Sequence, residues 1–299
     1  MTKIFNDLGL YIDNLRKSRN ISREDFIDGI ISTRQYQRFV NGESSLNNEK
    51  TFKLIDRLGM SFFNVHKLYV LHTNKQRPKL NNIYKEIISE NLNSASEFIE
   101  ELSPDDFFDE YNKLFYEVLK LILHRRKKTM PFNLVADKLK RIINYPDCMK
   151  NEVMSFIEYI VYLNISSDNL DNNDDIKILN FLYEKISNEN INFDYFSKRY
   201  IPSTYAHVAK KLGSIDEYKK ALVISQKGIE YCKGAETINS LAHLYIYKAL
   251  SLKYLERLDE SYIAAKKCFD VLDIEEKDFK TKSFTDNFER LFNMKVTEL

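Results

Sequence analysis

Tryptophan is absent from the 299 residues, and glycine and proline are scarce, at 7 and 5. Sheet proteins with tight turns draw on both residues where the backbone needs special angles, so the shortage points to an all-α chain with short connections. No run of about 18 apolar residues occurs, so no transmembrane helix is expected. The opening MTKIFNDLGLYIDNLRKSRN carries Asp7, Asp13 and Asn14 inside its apolar pattern, which excludes the apolar core of a signal peptide. A cytoplasmic protein without a membrane partner is the expectation. Cys148, Cys232 and Cys268 are odd in number and far apart in apolar helical surroundings, so they read as buried free thiols. Chemistry-bearing motifs are missing as well. There is no glycine-rich phosphate loop, no HExxH and no paired cysteine motif, and His66, His72, His124, His207 and His243 show no metal-ligand spacing. The chain therefore reads as a non-enzyme, with no cofactor and no metal.

What is present is a globular composition, 43% hydrophobic and 30% charged. The formal net charge of +1 hides an asymmetry: residues 1–79 hold 14 Lys/Arg against 8 Asp/Glu, whereas the remainder holds 31 against 36. A small basic unit joined to a larger acidic one suggests that the first part alone touches a polyanion.

Apolar residues recur three and four positions apart nearly throughout, which is the helical period. The first helix lines up Ile4, Leu8, Tyr11, Ile12 and Leu15 and breaks at Ser18-Arg19-Asn20. Ser22 caps a short second helix with Glu24 and Asp25 in its first turn and Phe26, Ile27 and Ile30 facing inward. Ser32 caps a third helix that stops at Asn41-Gly42, a left-handed termination signal. A fourth, from about Asn48 to Leu58, carries Phe52, Leu54, Ile55 and Leu58 and ends at Gly59. Ser61 opens a fifth through Phe62, Phe63, Val65, Leu68 and Leu71. Residues 1–71 thus form a five-helix unit, residues 72–79 (His72-Thr73-Asn74-Lys75-Gln76-Arg77-Pro78-Lys79) a polar linker, and residues 80–299 a second helical domain. Within the latter, breaks fall near Ser103-Pro104, Met130-Pro131, Tyr145-Pro146, the polar 166–175 stretch and Ile201-Pro202.

An offset of 40 residues exposes a repeat. Tyr205, Ala209, Leu212, Tyr218, Ala221, Gly228 and Ile229 fall on Tyr245, Ala249, Leu252, Leu258, Ser261, Cys268 and Phe269. This alternation of large and small positions resembles the tetratricopeptide repeat, in which small residues let paired helices approach closely. That resemblance implies a right-handed superhelical stack of helix pairs. An earlier pair is suggested by Phe156, Ile160 and Leu163 followed by Ile176 to Ile186.

The stretch ISTRQYQRFVNGES, residues 31–44, places Thr33, Arg34, Gln35, Gln37 and Arg38 on the polar side of a helix. Arg and Gln are the side chains that bond guanine and adenine edges bidentately, so this face is either a DNA-reading surface or an ordinary solvated one. Short helix, turn and capped second helix is the layout of a helix-turn-helix. The stretch resembles the Cro/repressor type, which implies Ile31 and Tyr36 in the core and Phe39 closing the domain. Arg23 stands where that type usually has Gln, and Val40 where it has Glu. RFVNGES followed by a helix ending DRLGMSFFNV resembles, more narrowly, the Rgg/PlcR/PrgX type of peptide-responsive transcriptional regulators. Some Rgg proteins carry an intersubunit disulfide cysteine at the position matched here by Asn48, so that bond is not expected.

Within this reading Thr33, Arg34, Gln35 and Gln37 reach base edges, Arg38 meets a guanine or a phosphate, and Arg23, Ser44, Asn47 and Lys50 flank the helix near backbone phosphates. In the repeats, taking Tyr205 and Tyr245 as the first signature positions puts Ser203, Ala206 and Lys210, then His243, Ile246, Leu250, Lys253 and Tyr254, on the groove. Asn164 and Asn180 are further candidates, since an amide can bond both N–H and C=O of a peptide. Each of these positions is more often plain solvated surface. The resemblance implies a double-stranded DNA operator, a short signalling peptide and a homodimer as partners, with the peptide shifting DNA binding or transcriptional output. A helical-repeat adaptor for a protein partner and a phage or plasmid control repressor remain as alternatives. The basic run His124-Arg125-Arg126-Lys127-Lys128 reads either as a solvated helix end or as a nucleic-acid contact.

Overall fold

The computed structural model of the chain describes residues 8–73, 76–103, 107, 109–166, 173–194, 197–276 and 278–299. Expectations resting on Ile4, on Asn74-Lys75, on Pro104 and on residues 167–172 lie outside the described residues. Two compact units divide the chain between Leu123 and His124.

The first unit holds α1 (Leu8–Ser18), α2 (Arg23–Ile27), α3 (Thr33–Val40), α4 (Asn48–Arg57), α5 (Phe62–Thr73), α6 (Gln76–Ile88), α7 (Leu92–Glu100) and most of α8 (Glu110–Arg126). Helices α1 to α5 close around Ile12, Phe26, Tyr36, Leu54, Ile55, Leu58 and Val65, all buried. Phe26 meets Tyr36 edge to face at 5.8 Å, a favoured aromatic geometry. Three residues expected on the inward faces stand outside: Phe52, Phe63 and Leu68 are 41%, 67% and 42% exposed. Phe62 and Phe63 are neighbours about 100° apart around one helix, so only one can face the core. Phe62 does so, and Phe52 packs on its ring edge-on at 4.2 Å rather than entering the core.

Beneath this cluster lies a buried polar knot. Tyr36 donates its hydroxyl to Asp13 at 2.6 Å, Arg16 donates from Nε at 2.9 Å, and Lys17 pairs with the second carboxylate oxygen at 2.9 Å. Burial alone would raise the Asp13 pKa, but the bonds from Lys17, Tyr36 and Arg16 outweigh it and hold the carboxyl below its usual range. Gly9 explains how α1 comes so near α3: a Cβ there would lie 2.1 Å from the carbonyl oxygen of Phe39.

The polar stretch 72–79 is helical wherever it is described. His72 and Thr73 end α5, and Gln76 to Lys79 open α6. Pro78 stands in the first turn of α6, where a missing N–H costs no helix bond. Farther on, Arg77 is buried with its guanidinium 4.8 Å from the Tyr111 ring centroid and 4.3 Å from that of Phe115.

The second unit continues through α9 (Phe132–Ile142), α10 (Phe156–Ile165), α11 (Asn173–Ser187), α12 (Ile201–Gly213), α13 (Tyr218–Gly234), α14 (Leu241–Tyr254), α15 (Leu258–Glu275) and α16 (Asp278–Phe292). From α12 to α16 each helix packs on the next, and α12 also meets α14, which is the signature of stacked pairs. Among the described residues the only strands are Met154–Ser155 and Ile191–Asn192, a two-residue parallel pairing. The break expected near Ile201-Pro202 is the start of α12, with Pro202 in its first turn.

The 40-residue repeat is a packing repeat. Tyr205, Ala209 and Leu212 on α12 and their counterparts Tyr245, Ala249 and Leu252 on α14 are all buried. Gly228 is where α13 touches both first helices, since a Cβ there would sit 2.7 Å from Tyr205 Cβ and 2.6 Å from a methyl of Leu244. Ser261 supplies a small residue with a second use, donating to the carbonyl of Ala249 at 2.7 Å. At the starts of α13 and α15 the repeat is looser: Tyr218 is half-buried and Leu258 exposed. Cys148, Cys232 and Cys268 are buried and free.

Candidate functional site

Two surfaces carry the functional expectations. The first is α3. Ser32 and Gln35 form a reciprocal capping box: the Gln35 N–H donates to Ser32 Oγ, and the Ser32 N–H to Gln35 Oε1, both at 3.3 Å. At the other end the Gly42 N–H donates to the Phe39 carbonyl at 3.1 Å and the Glu43 N–H to that of Arg38 at 2.8 Å, a Schellman closure. Gly42 adopts φ of 72°, where only glycine is free of strain. Sequence thus fixes a helix of 8 residues at both ends. Tyr36 and Phe39 anchor it inward, while Thr33, Arg34, Gln35, Gln37 and Arg38 are exposed together on the far side.

Their commitments differ. Gln35 spends its carbonyl oxygen on the cap and keeps its amide N–H groups. Gln37 donates to Asn41 at 3.1 Å, and Arg38 is drawn toward Glu43 at 3.8 Å. Thr33 and Arg34 make no side-chain bond among the described residues. Sequence reasoning overlooked Glu43, the acid that pairs with Arg38; its place three residues past the helix end was the available signal. Of the flanking residues, Arg23 opens α2 with its guanidinium 6.0 Å from the Tyr36 ring centroid and a buried Nε that lacks a hydrogen-bond partner among the described residues. Asn47 caps α4 by accepting from the Lys50 N–H at 2.9 Å, so both are held at the start of that helix. The Ser44 N–H reaches the Arg38 carbonyl at 3.3 Å.

The second surface is a cavity of about 670 Å³ walled by α12, α14 and α16. It brings together Lys210, His243, Ile246 and Tyr254 from the expected groove, along with Leu250. Its volume falls in the range of ordinary ligand sites. Tyr254 stacks on Tyr218 at 4.4 Å, and His243 meets Phe284 edge-on at 4.8 Å. Burial, aided by the charges of Lys280 and Lys210 against the opposing Glu275, pushes the His243 pKa down to about 4, so its imidazole is neutral at pH 7. Its Nδ1 is buried and has no hydrogen-bond partner among the described residues.

The other expected groove residues lie elsewhere. Lys253 turns toward α16, donating to the Leu291 carbonyl with its Nζ 5.0 Å from the Phe292 ring centroid. Ser203 bonds the Tyr200 carbonyl at 2.7 Å. Asn164 is buried, donating to Ile160 at 2.7 Å and accepting from Arg125 at 3.1 Å. Asn180 accepts from Lys220 at 3.2 Å and lines a separate cleft of about 770 Å³ beside Pro146, Met149 and Phe181. What sequence reasoning missed is the α16 wall, Phe284, Asn287 and Arg290. No repeat copy covered that helix, although its spacing of Phe284, Phe288 and Phe292 marks an inward stripe. In the basic run, Arg125 is spent on α10 through Asn164.

A helix-turn-helix unit followed by stacked helix pairs defines a class of fold, and solved structures share it along nearly the whole chain. No protein-family profile matches this sequence, and no curated protein does. PlcR of Bacillus thuringiensis, solved with the peptide PapR7 and DNA, is similar with a TM-score of 0.68 at 12% identity, covering 92% of this chain and 99% of its own. The SHP pheromone receptor Rgg2 of Streptococcus dysgalactiae gives 0.65 at 14% identity, over 95% and 99%. ComR of S. thermophilus, solved with DNA and its signalling peptide ComS, gives 0.63 at 14%, over 95% and 99%. The chain has the all-α fold of the Rgg/PlcR/PrgX type of regulator.

Proposed function

We propose that this chain is a cytoplasmic, peptide-responsive transcriptional regulator. Residues 1–71 bind a double-stranded operator through α3, residues 72–79 connect, and residues 80–299 dimerise and bind a short signalling peptide in the α12–α14–α16 cavity. The observation that carries this reading is the α3 surface: a helix capped at both ends, anchored by Tyr36 and Phe39, that turns five polar residues outward. Two of them, Arg34 and Arg38, suit guanine edges or phosphates, and Gln35 and Gln37 suit adenine. A homodimer would place two such helices on a two-fold related operator. The peptide would act by binding one conformational population more tightly than another, which is the only way a ligand shifts an equilibrium.

The test is the affinity of the purified protein for fragments of its own upstream region, over a salt series, beside an Arg34→Ala/Arg38→Ala double variant. Site-selective binding that weakens with salt and is lost in the variant, at unchanged thermal stability, is expected. Equal binding of all fragments by both proteins, with and without peptide, would leave the adaptor reading ahead.

A further inference from the structure

The α12–α14–α16 cavity has an electrostatic sign. Its charged lining is Lys210 and Arg290, and among the described residues no aspartate or glutamate contributes to its wall. Neither cation is neutralised from within. Lys210 makes no ion pair among the described residues, and Arg290 donates to the neutral side-chain oxygen of Asn287 at 2.9 Å. The nearby acid Glu275 is already held by Lys280 at 2.6 Å, with both side chains largely out of solvent. The rest of the lining mixes the neutral polar Ser214, Ser251, Ser283 and Asn287 with apolar and aromatic walls: the stacked Tyr218 and Tyr254, Ile246, and Phe284 against His243. Both cations are exposed at the cavity, open to an incoming anion, and a guanidinium offers a fork that matches a carboxylate.

We propose that this cavity selects its peptide by a carboxylate: it takes an apolar peptide whose negative charge is met by Lys210 and Arg290 while its side chains fill the Tyr254, Ile246 and Phe284 walls. The inference rests on the peptide-binding reading and narrows it to an anionic ligand class. The unpartnered Nδ1 of His243 supplies one hydrogen-bonding site for the peptide backbone. The carboxylate can come from the chain terminus or from an acidic side chain, and the chemistry at the two cations is the same.

Because the protein has no tryptophan, tryptophan emission reports a bound peptide without a label. The probes are heptapeptide pools with a fixed central tryptophan and Leu, Ile, Val, Phe or Ala elsewhere. They are made as the free acid, as the C-terminal amide, and as the amide with one aspartate. Retention with the full-length protein on ultrafiltration is the readout. At least one anionic pool should be retained about tenfold better than the neutral amide. That preference should vanish in the Lys210→Gln/Arg290→Gln variant with its melting curve unchanged. Which anionic pool is preferred identifies the source of the carboxylate. Equal retention of all three pools would overturn the charge selection while leaving peptide binding intact. Retention of none would overturn both.

Discussion

Asp13 is a carboxylate that three side chains share, and its energetics follow from that. Tyr36, the core anchor of the candidate reading helix, is one of the three. Removing its hydroxyl leaves a buried acceptor short of a donor, so Tyr36→Phe is expected to cost about 1–3 kcal/mol at neutral pH. The pH dependence has a definite sign. A carboxyl with a lowered folded pKa contributes stability that is fully present above its unfolded value of about 3.9 and is lost as pH falls through the folded value. Deleting one of the donors that lower it moves that acid limb upward in pH. Urea midpoints of wild type and variant between about pH 3 and 7 would show both effects; coincident curves would mean the knot contributes nothing. Gly228 makes a different kind of prediction, because the neighbour it spares includes Tyr205 Cβ, which cannot rotate away. Gly228→Ala should therefore destabilise the second unit by about 1–3 kcal/mol through overpacking, despite the better helix propensity of alanine. A calorimetric scan with an unchanged or raised transition would contradict it.

At the scale of elements, α3 depends on its ends more than on its interior. Eight residues make barely two turns, too short to be stable alone, so the caps and the buried Tyr36 and Phe39 hold it. Ser32→Ala removes one half of the capping box and is expected to cost about 1 kcal/mol. It also frees Gln35, so DNA affinity should fall through a less ordered helix start while salt dependence stays the same, since no phosphate contact is lost. A changed salt slope in that variant would argue instead that Ser32 touches DNA. The same caps explain why this end of the molecule was legible in sequence. Ser22, Ser32, Asn41-Gly42 and Gly59 are local signals, and a local signal places a helix end whatever the tertiary context. Facing was less legible: Phe52 and Phe63 are as apolar as their buried neighbours, and only the packing of Phe62 decides which ring goes in. In the repeats the small residues Ala209, Ala249 and Gly228 betrayed close helix approach. The cavity was half legible for that reason. The repeat register gave Lys210, His243, Ile246 and Tyr254, whereas Phe284 and Arg290 come from a helix with no partner copy in the sequence. Asn164 was misjudged as an available amide because nothing local reveals that Arg125, 39 residues away, is bonded to it.

For the whole molecule, the proposed DNA-reading helix and the proposed peptide cavity form a switch only if their equilibria are linked. If peptide changes the affinity for operator by some factor, operator must change the affinity for peptide by the same factor, because both are legs of one thermodynamic cycle. A coupling of about 1–3 kcal/mol, a factor of roughly 5 to 150, is the usual range. Two titrations of the full chain measure it independently: operator anisotropy with and without saturating peptide, and peptide tryptophan emission with and without operator. Matching factors would establish a switch, and matching factors near one would mean that both ligands bind without communicating. The Arg34→Ala/Arg38→Ala variant separates the remaining cases. It should bind peptide with the affinity of the wild-type protein free of DNA, and added operator should leave that affinity unchanged. If operator still shifted peptide binding in the variant, the communicating DNA contact would have to lie outside α3.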